Sequence, residues 1–292
     1  MRRLALIVNP SAAGGRTARA IPEVQLALDK LGLAHHTEMT GSLDHARELA
    51  LDAAAAGEIA VAFGGDGLVG AVAGALAEAR QGVLGVLPGG RGNDFARVLG
   101  IPREAQRACT VLANGLERRL DLGQAGERTF IGIASCGFDS DANRIANEAR
   151  RIRGNLVYAY GALAALRAWR PATFTVTLDG AEPRIVTGYS VAAANSKAFG
   201  GGMYLAPDAS LEDGALDVVI INDMPKARYL ALLPTVFTGR HVRHRGVEVV
   251  RARELTVTAD RPFTMYADGD PIGDLPLSVR ALPSAIPVIT PR

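Results

Sequence analysis

The chain has 292 residues, 48% hydrophobic and 21% charged, with a formal net charge of +2. That length allows two packed cores, the composition is that of an ordinary globular protein, and so small a charge gives no argument for nucleic acid as a partner. No apolar run approaches the roughly 20 residues needed to cross a bilayer, and Cys109 and Cys136 have no metal-ligand spacing.

Leu4 to Val8 reads as a buried first strand. Met1-Arg2-Arg3 has the basic start of a secretory leader. The apolar stretch after it is too short for one and runs into Asn9-Pro10, so a cytoplasmic protein is expected. Ile21, Val24, Leu28 and Leu31 recur at helical spacing within a helix expected from Thr17 to Leu31. Ser42 or Asp44 is suited to cap an alanine-rich helix from His45 to Ala56. Ile59 to Phe63 and Val83 to Leu87 have the continuous apolar character of buried parallel strands, with helical segments between and after them. This alternation implies a right-handed, doubly wound sheet.

The strands end in loops rich in small residues. Val61-Ala62-Phe63 runs into Gly64-Gly65-Asp66-Gly67 and then into a small-residue helix, Val69 to Ala79. Glycine has no Cβ, so bare N–H groups and a helix N-terminus can face an anion there. Asp66 would then sit beside bound phosphates, where a divalent cation has to be managed. The same residues would also make a good tight turn. Leu84 to Leu87 ends in Pro88-Gly89-Gly90-Arg91-Gly92-Asn93-Asp94, and the first strand ends in Asn9-Pro10-Ser11-Ala12-Ala13-Gly14-Gly15-Arg16. Three such strand ends converge on the crevice where open α/β folds bind ligands. A nucleotide triphosphate is the expected occupant.

From about Leu120 short β-rich runs follow one another: Phe130 to Ala134, Phe174 to Leu178, Ile185 to Ala194, Leu216 to Ile221, Leu255 to Ala259, Phe263 to Ala267 and Leu277 to Ala281. Helical insertions from Ile145 to Trp169 and from Ala227 to Thr238 interrupt them. The pattern suggests an antiparallel sandwich. The expected fold class is therefore α/β plus all-β. A doubly wound unit takes residues 1–124, a β-sandwich takes 125–283, and the active site lies in the cleft between them. Asp268-Gly269-Asp270 brings two carboxylates to one turn, where each should make the other harder to ionise; an ordinary β-turn would use the same residues. Leu156 to Trp169 and Leu230 to Phe237 are apolar segments fit for a core or a lipid surface. Arg240, His241, Arg243, His244 and Arg245 follow the second, as a solvated loop or a basic tip for anionic headgroups.

Asn9-Pro10, Gly64-Gly65-Asp66-Gly67 and Pro88 to Ala96, in this order, resemble the diacylglycerol kinase catalytic domain of bacterial lipid kinases. That family includes sphingosine and ceramide kinases and, more distantly, NAD kinase and phosphofructokinase. The resemblance continues through Ser210 to Asp217 and Asp268-Gly269-Asp270, so it covers nearly the whole chain. It implies an ATP- and Mg²⁺-dependent kinase of a lipid hydroxyl, diacylglycerol first, that associates peripherally with membranes; a homodimer is left open. By resemblance, the nucleotide contacts are Asn9, Thr40, Gly64, Gly65, Asp66, Gly67, Gly89, Gly90, Arg91, Asn93 and Asp94. Asp66 organises Mg²⁺ directly or through water, and Arg91 or Arg16 adds positive charge. Asp268 accepts the proton of the lipid hydroxyl, and Asp270 stands where the family usually has glutamate. A structural Mg²⁺ is implied at Asp213 with the backbone carbonyls of Ser210 and Ala215, oxygen ligands that suit it. Residues 284–292, with Ile286 to Ile289, are implied to return to the first unit.

Three positions depart from the family pattern. Leu68 and Arg91 each replace a threonine, and Gly70-Ala71 replaces an Asn-Glu pair. Either the Arg91 guanidinium compensates for lost hydroxyl contacts, or the site has degraded to that of a nucleotide- or lipid-binding regulator. A kinase of a soluble alcohol or dinucleotide, as in NAD kinase, is the enzyme alternative.

Overall fold

Five consecutive apolar residues, Leu4 to Val8, are buried at the centre of the first half of the molecule. In the computed structural model, which describes residues 2–138, 140, 166–167 and 169–292, they form most of β1 (Arg3–Val8). Its parallel neighbours are β2 (Ala34–Met39) and β3 (Ile59–Gly64), and β4 (Val83–Pro88) lies beyond β3. The order β4-β3-β1-β2 means that the chain steps outward once and then reverses. Right-handed crossovers in opposite directions put helices on opposite faces of the sheet. Accordingly α1 (Ala12–Lys30) packs with α5 (Ala105–Asn114), and α2 (Leu43–Ala55) packs with α3 (Asp66–Ala79). Between α3 and α5 lies the short α4 (Asp94–Val98). Reversal falls between β1 and β3, the switch point at which such sheets open a ligand crevice. Across that point the Asn9 N–H donates to the Phe63 carbonyl at 3.2 Å.

Local chemistry sets several boundaries. Ser42 caps α2, its Oγ accepting from the His45 N–H at 3.1 Å, worth about 1 kcal/mol. α1 begins earlier than the spacing of its apolar residues suggests. Its start is kinked, because Ala13, Gly14 and Gly15 all have positive φ.

In the second half most pairing is antiparallel. β5 (Leu116–Ala125) runs alongside β15 (Leu277–Thr290) from Ala125 opposite Val279 to Leu116 opposite Thr290. β15 also pairs in parallel with β4, at Val288 and Leu84, and antiparallel with β12 (Glu254–Ala259). From β12 the sheet continues through β8 (Ala172–Leu178), β9 (Arg184–Ala194), β7 (Ile133–Gly137), β13 (Thr264–Ala267) and β14 (Asp270–Asp274). β10 (Leu216–Asn222) pairs with β9 and with β11 (Val247–Ala252), and β6 (Arg128–Phe130) pairs with β5. After β10 comes α6 (Lys226–Val236), followed by a 3₁₀ turn at Arg240–Arg243.

Two clusters of buried side chains result. One gathers β1, β3, β4 and their helices, together with Ile286, Val288 and Ile289 from the end of β15. The other holds Phe130, Trp169, Phe174, Tyr189, Tyr229 and Met265. Cys109 is buried in the first and Cys136 in the second. Among the described residues no helix is long and apolar enough to cross a membrane.

Two readings need correction. The strand expected from Phe130 to Ala134 is broken at Ile131-Gly132, whose N–H groups face a carboxylate rather than a neighbouring strand. β11 and β14 were not anticipated, because Val247 to Ala252 carries Glu248 and Arg251 on an edge and Asp270 to Asp274 carries a proline and a glycine. Most of the helix expected from Ile145 to Trp169 lies outside the described residues, including Leu156, Val157, Tyr158, Tyr160 and Leu163. Leu166 and Trp169 are described, and both are buried in the second cluster.

Candidate active site

The glycine loops after β3 and β4 pack backbone on backbone. The Gly89 N–H donates to the Gly64 carbonyl at 2.8 Å. A Cβ on Gly90 would lie 2.4 Å from the Gly65 Cα, and one on Gly89 would lie 3.1 Å from the Gly64 Cα. Side chains are excluded there by the neighbouring loop, which leaves the peptide groups bare. Asn93, left-handed at φ 52°, clamps the second loop: its Oδ1 accepts from the Gly90 N–H at 2.7 Å and its Nδ2 donates to the Gly90 carbonyl at 3.0 Å. Asn9 holds the first strand end, its Oδ1 accepting from the Ser11 N–H and hydroxyl. Thr40 is buried beside it, with its N–H donating to the Val8 carbonyl and its hydroxyl to the Ser42 carbonyl. Arg91 is exposed and makes no hydrogen bond or ion pair with the described residues, whereas Arg16 donates to the Ala13 carbonyl.

Carboxylates border these loops. Asp66 opens α3, and its Oδ1 accepts from the Phe95 N–H at 3.0 Å. Asp94 accepts from the Gly201 N–H at 2.7 Å, while its buried Oδ1 has no hydrogen bond among the described residues and the Arg97 Nε lies 3.6 Å away. Burial, and then the charge of Asp66, raise the Asp94 pKa above the usual carboxylate range, against the lowering by the Gly201 hydrogen bond and Arg97. One oxygen of Asp66 and one of Asp94 each lie 3.2 Å from the point where a Gly92 Cβ would stand.

The Asp268-Gly269 pair is the two-residue turn joining β13 to β14, with φ of 52° and 97°. Two positive φ values in succession are the geometry that Asp-Gly favours in a hairpin. The turn points the Asp268 carboxylate into three N–H groups: Ile131 donates to Oδ2 at 2.8 Å, and Gly132 and Ile133 donate to Oδ1 at 2.9 and 3.3 Å. Despite these donors the Asp268 pKa is pushed up to about 7, by burial first and also by the charge of Asp66. The raising charge is thus Asp66, not the sequence neighbour Asp270. A Cβ on Gly70 would stand 3.7 Å from Asp268 Oδ2, and one on Gly67 would stand 3.8 Å from Asp270 Oδ2. The hairpin carboxylates therefore lie against the first turns of α3.

Ser210, Asp213 and Ala215 form a separate group in the loop between β9 and β10, sharing no hydrogen bond or ion pair with Asp66, Asp94 or Asp268. Asp213 Oδ2 is paired with the Arg251 guanidinium at 2.8 Å, and Oδ1 accepts from the Ala215 N–H at 3.1 Å. A Mg²⁺ at this carboxylate would have to displace the half-exposed Arg251 guanidinium. Asp66 fits one better, because its Oδ2 has no hydrogen bond among the described residues and faces Asp94. No group of three or more His, Cys, Asp or Glu side chains suited to a metal occurs among the described residues.

Sequence reasoning missed three contributors. Buried Thr17 donates its hydroxyl to the Gly89 carbonyl at 2.8 Å, and nothing marks it out in the sequence. The N–H cradle at Ile131 to Ile133 is main chain and carries no residue signature. Asp121 is buried, accepting from the Gly214 and Ser284 N–H groups at 2.7 Å each. Its signal was available: a carboxylate between Leu120 and Leu122 in an apolar run needs buried partners.

This assembly of a doubly wound sheet, glycine loops at its switch point and a β-sandwich-like second half is the fold of the diacylglycerol kinases and NAD kinases. Residues 3–125 match the diacylglycerol kinase catalytic domain, and residues 132–290 match the YegS C-terminal NAD kinase beta sandwich-like domain. A diacylglycerol kinase of Mycobacterium tuberculosis (strain H37Rv) is 34% identical over 299 residues, covering 99% of this chain and 96% of its own. A diacylglycerol kinase crystal structure from Bacillus anthracis superposes with a TM-score of 0.76 at 18% identity, covering 99% of this chain and 96% of that one. An NAD kinase from Archaeoglobus fulgidus, solved with ATP, shares the fold at a TM-score of 0.52 and 13% identity, over 99% of this chain and 94% of that one. The chain belongs to the diacylglycerol kinase family of lipid kinases.

Proposed function

We propose that this protein transfers the γ-phosphoryl group of ATP to a lipid hydroxyl, with diacylglycerol as acceptor and Asp268 as general base. Phosphoryl transfer asks little covalent chemistry of a protein; it asks for positioning and charge neutralisation. Bare N–H groups at Gly64 to Gly67 and Gly89 to Gly92 bind the phosphates, with Asn9, Thr40, Asn93 and Thr17 holding those loops in shape. Arg91 adds a cation that no described residue already pairs. Asp66, assisted by Asp94, would hold Mg²⁺, which would supply charge neutralisation to the phosphate oxygens. Asp268 takes the proton from the acceptor hydroxyl, and Asp270 borders the same opening. A base near neutral in pKa suits that task, since it is ionised at working pH yet retains proton affinity.

One observation carries the reading: the Asp268 carboxyl, with a pKa of about 7, lies against the helix that Asp66 begins. The same reading takes residues 1–124, with 284–292, as the nucleotide-binding unit and 125–283 as the acceptor unit. The two buried clusters, one of which includes Ile286, Val288 and Ile289, support that division. The test is transfer of label from γ-labelled ATP to diacylglycerol in mixed micelles, with NAD offered in parallel. Labelled phosphatidic acid from the native chain and almost none from Asp268→Asn is the expected result. Label on NAD, or equal label from the variant, would overturn the proposal.

A further inference from the structure

α6 is apolar on both sides. Its inner face, Tyr229, Leu232 and Val236, is buried in the second core. The opposite stripe, Ala227, Leu230, Ala231, Pro234 and Phe237, is exposed at every position, Leu230 at 48% and Phe237 at 55%. The spacing i, i+3, i+4, i+7, i+10 gathers these residues into one arc of the helix. A helix lodged only against its own core would carry polar residues there.

The surroundings of this stripe say what chemistry would cover it. Arg228 flanks it on the helix, and Arg240, Arg243 and Arg245 follow directly after it, all exposed. None of these four makes an ion pair with a described residue, unlike Arg184 or Arg251 elsewhere on the same half. An apolar helix stripe rimmed by guanidinium groups that no described residue pairs matches an anionic lipid surface, where apolar side chains enter the headgroup boundary and cations attract the charge.

The stripe is also tied to the phosphate site. The Tyr204 N–H donates to the Val236 carbonyl at 2.9 Å, and the His241 Nε2 pairs with the Leu205 carbonyl at 2.9 Å, which fastens both the helix end and the basic turn to one loop. Three residues earlier in that loop, the Gly201 N–H donates to Asp94 at 2.7 Å. We propose that the outer face of α6, with the Arg240 to Arg245 turn, is the surface on which this protein docks onto anionic lipid bilayers. Docking there brings to the lipid the loop that also holds Asp94. The inference rests on the lipid-acceptor reading for its purpose, but vesicle binding is measured without turnover, so either can fail alone.

The test is co-sedimentation of the full chain with phosphatidylglycerol/phosphatidylcholine vesicles and with pure phosphatidylcholine vesicles. Two variants are compared: Leu230→Ser with Phe237→Ser, and Arg240→Gln with Arg243→Gln and Arg245→Gln. Since a basic residue near an anionic surface is worth about five-fold in partitioning, the triple variant is expected to bind anionic vesicles about 100-fold less. The serine variant should lose binding as well, and raised salt should weaken the native chain. Thermal melts and transfer to a short-chain, monomerically dissolved diacylglycerol should stay at the native level for both. Binding that is unchanged in both variants would overturn the proposal. So would a native dimer that the serine variant dissociates without loss of vesicle binding, which would make the stripe an interface between copies.

Discussion

A Cβ on Gly70 would stand 3.7 Å from the Asp268 Oδ2, so a carboxylate from the C-terminal hairpin lies against the helix that starts at Asp66. The helix carries glycine at 67 and at 70, one turn apart, and each faces an oxygen of that hairpin.

The first expectation concerns pH. Asp268 acts as a base only when ionised, and its pKa is raised to about 7 by burial and by Asp66. Activity should therefore be low in acid, rise through about pH 7 and level off above it. Asp66→Asn should lower the rate, because it removes the carboxylate that would hold Mg²⁺. Asp268→Asn should cost about 10²- to 10⁴-fold in kcat, the usual weight of a general base, with ATP binding retained. A pH–rate profile of kcat/KM for the native chain and both variants checks this.

Gly90→Ala tests the paired loops. The new methyl group would lie 2.4 Å from the Gly65 Cα, and backbone cannot rotate away as a side chain can. We expect a loss of about 1–3 kcal/mol of stability and of nucleotide binding. Gly57→Ala is unsuited as a control because φ there is positive; Gly41→Ala, with nothing near its would-be Cβ, serves instead. Denaturant melts and ATP titration give the two readouts.

Arg91→Thr restores the residue usual in the family. Arg91 is exposed and unpaired among the described residues, so the melting temperature should not move. If its guanidinium grips phosphate, KM for ATP should rise about tenfold, the worth of a charge-assisted hydrogen bond. An unchanged KM would leave the arginine idle.

At Asp213 the cation is covalently part of the chain. In an Asp66→Asn background, which removes the carboxylate that would hold Mg²⁺ beside the phosphate loops, the melting temperature should be the same in chelator as in Mg²⁺. Arg251→Ala in the same background should cost about 1 kcal/mol, the upper end for a largely exposed pair, and should make the melting temperature sensitive to Mg²⁺. Calorimetry of both proteins with and without chelator is the measurement.

Much of the architecture is readable because apolar runs and glycine loops are local signals. Leu4 to Val8, Ile59 to Phe63 and Val83 to Leu87 each declare a strand with no reference to the rest of the chain. So does the Asp-Gly pair at 268–269, which suits the turn that holds it. What could not be read is what depends on partners distant in sequence. The Asp268 carboxylate meets N–H groups 135 to 137 residues away. Thr17 meets a carbonyl 72 residues on. Neither pairing leaves a trace in composition or period. β15 was seen only as two short pieces, Leu277 to Ala281 and Ile286 to Ile289, since Pro283 and Pro287 interrupt a run that the structure carries through.

That same strand spans both halves of the molecule. β15 is hydrogen-bonded to β12 near its beginning and to β4 near its end, and its register slips only between Leu282 and Ile286. The slip lies between the part of β15 that pairs with β12 and the part that pairs with β4. Asp121 grips it there, one oxygen on the Ser284 N–H and the other on Gly214 of the β9–β10 loop. A single buried aspartate thus ties the irregular middle of the longest strand to a loop some seventy residues earlier, at the one place where the ladder itself lapses.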